Sequence, residues 1–183
     1  MVGGVKFKKR GASLNITIEK LKSRDFKELF EFEMKNRVFF EKFVPARGED
    51  YFNYPTFVVR NDELLKNQEE GKDYFFLIRN DARELLGRIN LTDVDYQKKM
   101  AYVGYRIGES ELGKGIATRS VNQLIQFAID IGLRELFAQT TDQNVGSQEV
   151  LRKTGFIIID GLADSVSLNG EVLQFLSFQK LLS

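Results

Sequence analysis

Residues 108–118 read Gly-Glu-Ser-Glu-Leu-Gly-Lys-Gly-Ile-Ala-Thr, and this stretch decides the fold of the chain. It lies between a predicted strand that ends at Ile107 and an amphipathic helix predicted from Ile116. Apolar residues at steps of four and three line one face of that helix: Ala117, Val121, Leu124, Ala128 and Ile131. A glycine-rich turn into a helix presents free backbone amides and the positive end of the helix dipole. The stretch therefore predicts an anion site, although glycine is also common in plain turns.

Two phosphate-binding motifs compete for this stretch, and each lacks a required residue. The nucleoside-triphosphate loop needs Ser or Thr after its Gly-Lys to hold magnesium, whereas Gly115 follows Lys114 here. The dinucleotide fingerprint needs a third glycine where Thr118 stands. It also needs the opening strand of a parallel βαβ unit, whereas three antiparallel-looking strands precede the loop. Nucleoside-triphosphate binding through residues 108–114 stays open as an alternative.

Two residue types, cysteine and histidine, are missing from the whole sequence, and this narrows the chemistry. Disulfides, thiolate nucleophiles, Ser-His-Asp machinery and the commonest metal ligand are excluded, so no metal site is predicted. The net charge of +1 offers no field that would attract nucleic acid or an anionic membrane. No apolar run reaches the ~18 residues of a bilayer span. We expect a cytoplasmic protein without nucleic-acid or membrane partners.

The chain is predicted to form one domain over residues 13–183, preceded by a flexible basic tail over residues 1–12. Its 183 residues are enough to bury a core without disulfides. Ser23 is the expected cap of the first helix, and residues 161–170 are expected to form a loop. The remaining patterns predict strands over 15–22, 74–79, 84–92, 100–107, 135–140, 156–159 and 172–181, and helices from 24, over 56–70, from 116 and over 144–154.

A second informative stretch, residues 144–156, reads Asn-x-x-Ser-x-x-Val-Leu-x-Lys-x-Gly-Phe. Helix capping alone explains its residues singly, with Asn144 as the N-cap and Gly155 as the C-cap. It does not explain why this helix follows the Gly-Lys-Gly helix after one strand. Together the two stretches resemble the GNAT superfamily of N-acetyltransferases: residues 112–117 resemble its motif A, and residues 144–156 resemble its motif B. Motif A, Gln/Arg-x-x-Gly-x-Gly/Ala, is matched at Gly115 and Ala117, and Leu112 replaces its Gln/Arg.

The resemblance extends along the element order and implies an α+β fold with α/β/α layers. Its mixed, mostly antiparallel sheet would have seven strands, would be splayed at the strand before the pyrophosphate loop, and would be flanked by four helices. The phrase Ala-Tyr-Val-Gly-Tyr-Arg-Ile at residues 101–107 is most similar to the branch of ribosomal-protein N-terminal (Rim-type) acetyltransferases.

The resemblance implies transfer of an acetyl group from acetyl-CoA, as co-substrate, to a primary amine by direct attack in a ternary complex. The enzyme would act as a monomer or homodimer. Backbone amides of the loop would hold the pyrophosphate, and an amide near Ile107 would stabilise the oxyanion. The implied cofactor contacts are Ile107, Leu112, Gly113, Lys114, Gly115, Ile116, Ala117, Thr118 and Asn144.

The catalytic residue that the resemblance implies is Ser147. Many family members place a tyrosine where Leu151 stands here, so Ser147 is assigned the hydrogen bond to the leaving sulfur, with helix capping as its alternative role. The general base stays open among Glu33, Asp93, Glu109 and Glu111, each of which is also explained as a surface carboxylate.

The acceptor is less defined than the donor. An α-amine, with a pKa of ~8, is about ten per cent neutral at pH 7, whereas a lysine amine is almost wholly charged. Because the sequence has no histidine that could act as a base, an acceptor that is already partly neutral is favoured, and this indicates a peptide N-terminus. Two other functions stay open: a non-catalytic acyl-CoA-binding or sensor module, and an acetyltransferase of small amines such as polyamines or aminoglycosides.

Overall fold

The computed structural model describes residues 15–159, 165–168 and 170–182. The predicted tail over residues 1–12, and residues 161–164 of the predicted loop, lie outside these ranges. The described elements follow in chain order: β1 (Ile16–Lys20), α1 (Phe26–Phe40), α2 (Tyr54–Glu69), β2 (Tyr74–Asn80), β3 (Leu85–Asp95), β4 (Met100–Ile107), α3 (Ile116–Asp130), β5 (Glu135–Thr141), α4 (Val145–Lys153), β6 (Ile157–Ile159), β7 (Ser165–Leu168) and β8 (Glu171–Leu181).

The strands form a mixed sheet in the order β1-β2-β3-β4-β5-β8-β6, which confirms the predicted seven-stranded sheet. Among the described strands every neighbouring pair is antiparallel except β4 and β5. An eighth strand, β7, pairs with β8 beside this order. The predicted loop over residues 161–170 is therefore wrong at Ser165–Leu168. Four residues are too few for their alternation to be recognised, and the hydrogen bonds to β8 make them a strand.

Helices cover both faces of the sheet, and β2 shows why the sequence requires this. Tyr74 to Arg79 are all buried, so this strand has no solvent face. Because side chains alternate along a strand, Phe75 and Leu77 pack with α1 and α2, and Phe76 and Ile78 pack with α3. Burying each such side chain stabilises the fold by about 1.5–3 kcal/mol. The result is the α/β/α layering that the resemblance implied.

Helix starts differ in detail from the prediction. Ser23 does not cap α1: it begins a 3-10 turn in which the Lys22 amide donates to Asp25 Oδ2 at 3.0 Å. A carboxylate three residues further along satisfies the first free amide there, so the serine is not needed. The start of α2 is two residues earlier than predicted, because Asn53 Oδ1 accepts from the Thr56 amide at 3.2 Å.

Two features are absent from the described part of the chain. No helix in it is both long and apolar enough to cross a membrane. No group of three or more acidic side chains in it gathers where a metal ion could be held.

Candidate active site

The candidate site lies where β4 and β5 separate. Their parallel pairing covers residues 100–103 of β4, and the rest of that strand, up to Ile107, diverges from β5. This is the predicted splay. A cleft of about 280 Å³ opens there, lined by β3, β4 and β5, by the segment after α1 and by the start of α4. The two sides of the opened sheet can thus receive two different ligands.

The loop between β4 and α3 has the backbone that an anion site needs. Gly113 and Gly115 have φ values of +72° and +71°, in the left-handed region that glycine adopts without strain. Gly115 caps α3 and has no side chain to accept from the first amides, so these point outward at the positive end of the helix dipole. No atom lies within 4 Å of the position that a Cβ would take at Gly113. A phosphate group can therefore approach this backbone closely.

Two cations lie beside the loop, and they differ in their partners. Lys114 Nζ forms an ion pair with Glu111 Oε2 at 3.0 Å. Arg119 Nη2 donates to the carbonyl of Lys114 at 2.9 Å, which ties the first turn of α3 to the loop. Arg119 Nε is buried and has no hydrogen-bond partner among the described residues. Arg119, which the sequence patterns did not single out, therefore has an unused donor next to the predicted anion site.

The predicted contacts at the ends of the loop can act only through their backbone. Ile107 and Ile116 are 7% and 1% exposed and belong to the core. The amide of Gly108 donates to the carbonyl of Leu86 at 2.9 Å. Because donors alternate along an antiparallel strand, the Ile107 amide points away from β3, into the splay. Leu112 is exposed, and Ala117 and Thr118 are half-buried.

Asn144 and Ser147 meet at the start of α4, at the edge of the cleft. Asn144 Oδ1 accepts from the Ser147 amide at 3.1 Å, so Asn144 is the N-cap of the helix. The hydroxyl of Ser147 is left for another partner. The capping role is therefore performed by Asn144, and not by the serine side chain.

The partner of the Ser147 hydroxyl is Tyr105, on β4. Tyr105 Oη lies 2.9 Å from Ser147 Oγ and 3.2 Å from the Ser147 carbonyl oxygen, and it can donate its one proton to either of them. Burial raises the pKa of Tyr105 to about 12, against the lowering effect of its hydrogen bond with Ser147. Tyr105 thus keeps its proton at neutral pH. A protonated tyrosine and a serine form a short hydroxyl pair that opens on the cleft.

The four carboxylates considered as bases do not line the cleft. Glu109 and Asp93 are exposed, and Glu111 is paired with Lys114. Glu33 is not a surface carboxylate, because it is 1% exposed. Burial raises the pKa of Glu33, but the charges of neighbouring arginines outweigh this and hold the pKa below its usual value. A carboxylate held in its charged form in this way is a poor base.

A cluster of arginines surrounds Glu33. Arg88 Nη1, on β3, lies 3.0 Å from Glu33 Oε1, and Arg106 Nη1, on β4, lies 3.3 Å from Glu33 Oε2. Arg47, after α1, lies with its guanidinium 4.5 Å from the ring centre of Tyr51. Arg47, Arg88 and Arg106, named here the cleft arginines, all line the cleft. Burial, followed by the charge of Arg47, lowers the pKa of Arg106 to about 10.

A splayed sheet, a glycine loop opening a helix, and a capped second helix are the features by which an acyl-CoA-dependent transferase is recognised. Residues 15–157 match the family described as acetyltransferase (GNAT) domain. This chain belongs to the GNAT family of acetyltransferases.

Three particular proteins are similar to it. The probable N-acetyltransferase YjcK of Bacillus subtilis is 31% identical over 160 residues, covering 85% of this chain and 87% of that protein. The ribosomal-protein-S5-alanine acetyltransferase of Vibrio fischeri has a TM-score of 0.85 at 20% identity, covering 92% and 93% of the two chains. RimL, a ribosomal L7/L12 alpha-N-protein acetyltransferase solved with coenzyme A, has a TM-score of 0.84 at 18% identity, covering 93% and 96%.

The sequence analysis did not identify Tyr105 or the cleft arginines as site residues. For two of the arginines, however, the sequence contains an indication. Arg88 and Arg106 each interrupt a run of residues that otherwise reads as a buried strand. A charge in such a place needs a partner or a function. Tyr105 carried no comparable signal, because tyrosine is common in strands.

Proposed function

We propose that this chain transfers the acetyl group of acetyl-CoA to the α-amine at the N-terminus of a peptide or protein, by direct attack in a ternary complex. The observation that carries the proposal is the hydroxyl pair of Tyr105 and Ser147, 2.9 Å apart, in the cleft along β4, the strand that leads into a glycine loop with free amides. RimL, which shares the fold, was solved with coenzyme A. When bound, acetyl-CoA supplies the activated acetyl group as a thioester.

The loop is the proposed site of the pyrophosphate. Its amides from Gly113 to Ala117 would donate to the phosphate oxygens, as anions bind at helix N-termini generally. The Nε donor of Arg119, which has no partner among the described residues, is the proposed side-chain contact in place of the Gln/Arg that Leu112 replaces. Lys114 contributes less, because Glu111 already neutralises it.

The proposed oxyanion donor is the backbone amide of Ile107. It points into the splay, where β5 no longer pairs with β4. A backbone donor fixed by the strand needs no reorganisation as negative charge develops, and this is why such donors lower a barrier effectively.

Ser147 is the proposed catalytic residue, and Tyr105 its positioning residue. In this role Tyr105 Oη gives its one proton to Ser147 Oγ, the nearer of its two acceptors, and not to the Ser147 carbonyl, so that the serine proton is free to point at the departing sulfur. The raised pKa of Tyr105 keeps that donor protonated during turnover. Serine is a weak acid, so its contribution is mainly a hydrogen bond to the developing thiolate.

The acceptor amine would reach the cleft already neutral. In the part of the chain that the structure describes, no Asp or Glu side chain lines the cleft and could take its proton. An α-amine, with a pKa of ~8, has a usable neutral fraction at pH 7, whereas a lysine side chain has almost none. The lack of a base supports the α-amine as the acceptor.

The test is an acetyl-CoA consumption assay on matched acceptors. We expect turnover of a peptide with a free N-terminus and no turnover when that amine is blocked, even if the peptide contains lysine. Turnover of spermidine or an aminoglycoside without turnover of any peptide would replace the proposal with a small-amine acetyltransferase. Binding of acetyl-CoA without turnover of any acceptor would favour the non-catalytic module.

A further inference from the structure

The cleft arginines carry more positive charge than their surroundings neutralise. Both Arg88 and Arg106 share the single carboxylate of Glu33. Arg47 makes no ion pair with any carboxylate of the described residues, and its guanidinium lies over the ring of Tyr51. Three guanidinium groups thus accompany one carboxylate, and an anion entering the cleft would meet an excess of positive charge.

This charge lies on one side of the opened sheet. Because side chains alternate along a strand, Tyr105 and Arg106 project from opposite faces of β4. Tyr105 faces α3 and α4, where the loop binds phosphate, and Arg106 faces α1. In the register of β3 with β4, Arg88 lies opposite Arg106 and Asn90 lies opposite Gly104, so these four residues share one face of the sheet. The α1 side of the cleft, which we call the acceptor side, therefore carries Asn90 and the cleft arginines.

Asn90 adds a second feature on the acceptor side. Its Oδ1 is buried, has no hydrogen-bond partner among the described residues, and belongs to a residue that lines the cleft. A buried acceptor without a donor costs free energy, and the N–H of an amine would satisfy it. Asn90 and Arg88 are two residues apart on β3, which is about 7 Å along a strand.

We propose, on the basis of the function proposed above, that the preferred acceptor carries an anionic side chain, Asp or Glu, at its second or third residue. Its α-amine donates to Asn90 Oδ1, and its carboxylate binds the cleft arginines. A spacing of about 7 Å is the span of two residues of extended peptide at about 3.3–3.6 Å each, and from the second residue the side chain itself covers the remaining distance. The same cluster repels polyamines, because like charges in a shielded cleft interact strongly.

The first experiment compares acceptors on the unmodified enzyme. Peptides begin with Ala and differ only at residues two and three, which are Asp, Asn or Lys. Spermidine, free glutamate and phosphoethanolamine are tested beside them. We expect kcat/KM for the Asp peptide to exceed that for the Asn peptide by about tenfold or more, as charge-assisted hydrogen bonds are worth that much. The Lys peptide and spermidine should be the poorest.

Any other result contradicts either the proposed peptide substrate or the proposed preference for an anionic side chain. Equal use of the Asp and Asn peptides would overturn the anionic preference and leave peptide acetylation standing. Turnover of glutamate or phosphoethanolamine with no peptide turnover would overturn the peptide substrate and support the anionic preference. Preference for the Lys peptide or spermidine would overturn the anionic preference.

The second experiment changes Arg47, which makes no ion pair with a carboxylate of the described residues, so the fold should tolerate its loss. Arg47→Gln should raise KM for the Asp peptide about tenfold with little change in kcat, because the contact is equal in the ground and transition states. KM for the Asn peptide should stay within twofold. Arg24→Gln, which removes an exposed arginine before α1, is the matched control. Equal losses for both peptides would show that Arg47 does not read the anionic side chain, and would overturn this assignment.

Discussion

The hydroxyl pair of Tyr105 and Ser147 allows a specific prediction, because one substitution should lower kcat strongly and the free energy of unfolding only slightly. Ser147→Ala removes Ser147 Oγ and with it the 2.9 Å contact to Tyr105 Oη. Tyr105 can then donate its proton to the Ser147 carbonyl, 3.2 Å away, and Asn144 still caps the helix through the Ser147 amide. No polar group is left buried without a partner, so the free energy of unfolding should fall by only about 0.5–1.5 kcal/mol.

The kinetic effect should be larger than the structural one. If Ser147 Oγ donates to the leaving sulfur, kcat and kcat/KM should fall together by about tenfold to a hundredfold, which corresponds to ~1.4–2.8 kcal/mol of barrier. Affinity for acetyl-CoA should change little. Tyr105→Phe, which keeps the ring, should lower kcat by less. Because Tyr105 acts through Ser147, the double variant should be no slower than Ser147→Ala alone.

The assay is release of CoA thiol at saturating acetyl-CoA, run beside a urea melt of each variant. Asn53→Ala is the control: it removes the cap of α2 and should cost ~1 kcal/mol of stability, away from the cleft, with normal kcat. An unchanged kcat in Ser147→Ala would remove the serine from the mechanism. Multiplying effects of the two single changes would show that Tyr105 acts independently.

Three further predictions follow from the loop, the buried charges and the hydroxyl pair. Acetyl-CoA, but not ATP with magnesium or NAD, should raise the melting temperature, by ~2.7 kcal/mol of stabilisation at a hundred times Kd. Gly113→Val should abolish that shift, whereas Gly132→Val, with the same left-handed strain and the same open space, should keep it; equal shifts would place the phosphates elsewhere. Glu33→Gln should cost about 3 kcal/mol at pH 7 in urea melts, because Arg88 then loses its partner. The pKa of Glu33 is lower in the folded than in the unfolded protein, so this deficit should shrink as pH falls below 4.5, and a constant deficit would refute the ion pair. Finally, because the pKa of Tyr105 is about 12, kcat/KM should rise with pH through the ionisation of the acceptor amine and show no falling limb below about pH 10; a fall near pH 8 would contradict it.

The sequence predicted those parts of the site that are local in the chain. The end of β4 at Ile107, the start of α3 at Ile116 and the cap at Asn144 lie where the patterns put them. Each depends on residues within one turn of the boundary, through glycine conformation, helix periodicity or a capping side chain. These signals are strong because few alternatives compete with them.

The parts that sequence reasoning missed depend on pairing between distant segments. Tyr105 and Ser147 are 42 residues apart, and the contact exists because α4 returns to the end of β4. Arg88 and Arg106 are opposed only in the register of β3 with β4. Glu33 appeared to be a surface residue, although it occupies the face of α1 that Leu29 and Phe40 bury. Only the assembled sheet brings this carboxylate to the arginines.

Two energetically unfavourable features of the fold lie together in the cleft, and their coincidence indicates that both have a role in function. The end of β4 is not hydrogen-bonded to β5, so the Ile107 amide points into the gap between the two strands. One residue before it, Arg106 is buried among other arginines with too little negative charge, and its pKa is lowered first by that burial and then by the charge of Arg47. Violations of folding rules that gather at one place are expected at functional sites. The free backbone donor fits the charge that develops on the acetyl group, and the excess arginine charge fits the acceptor.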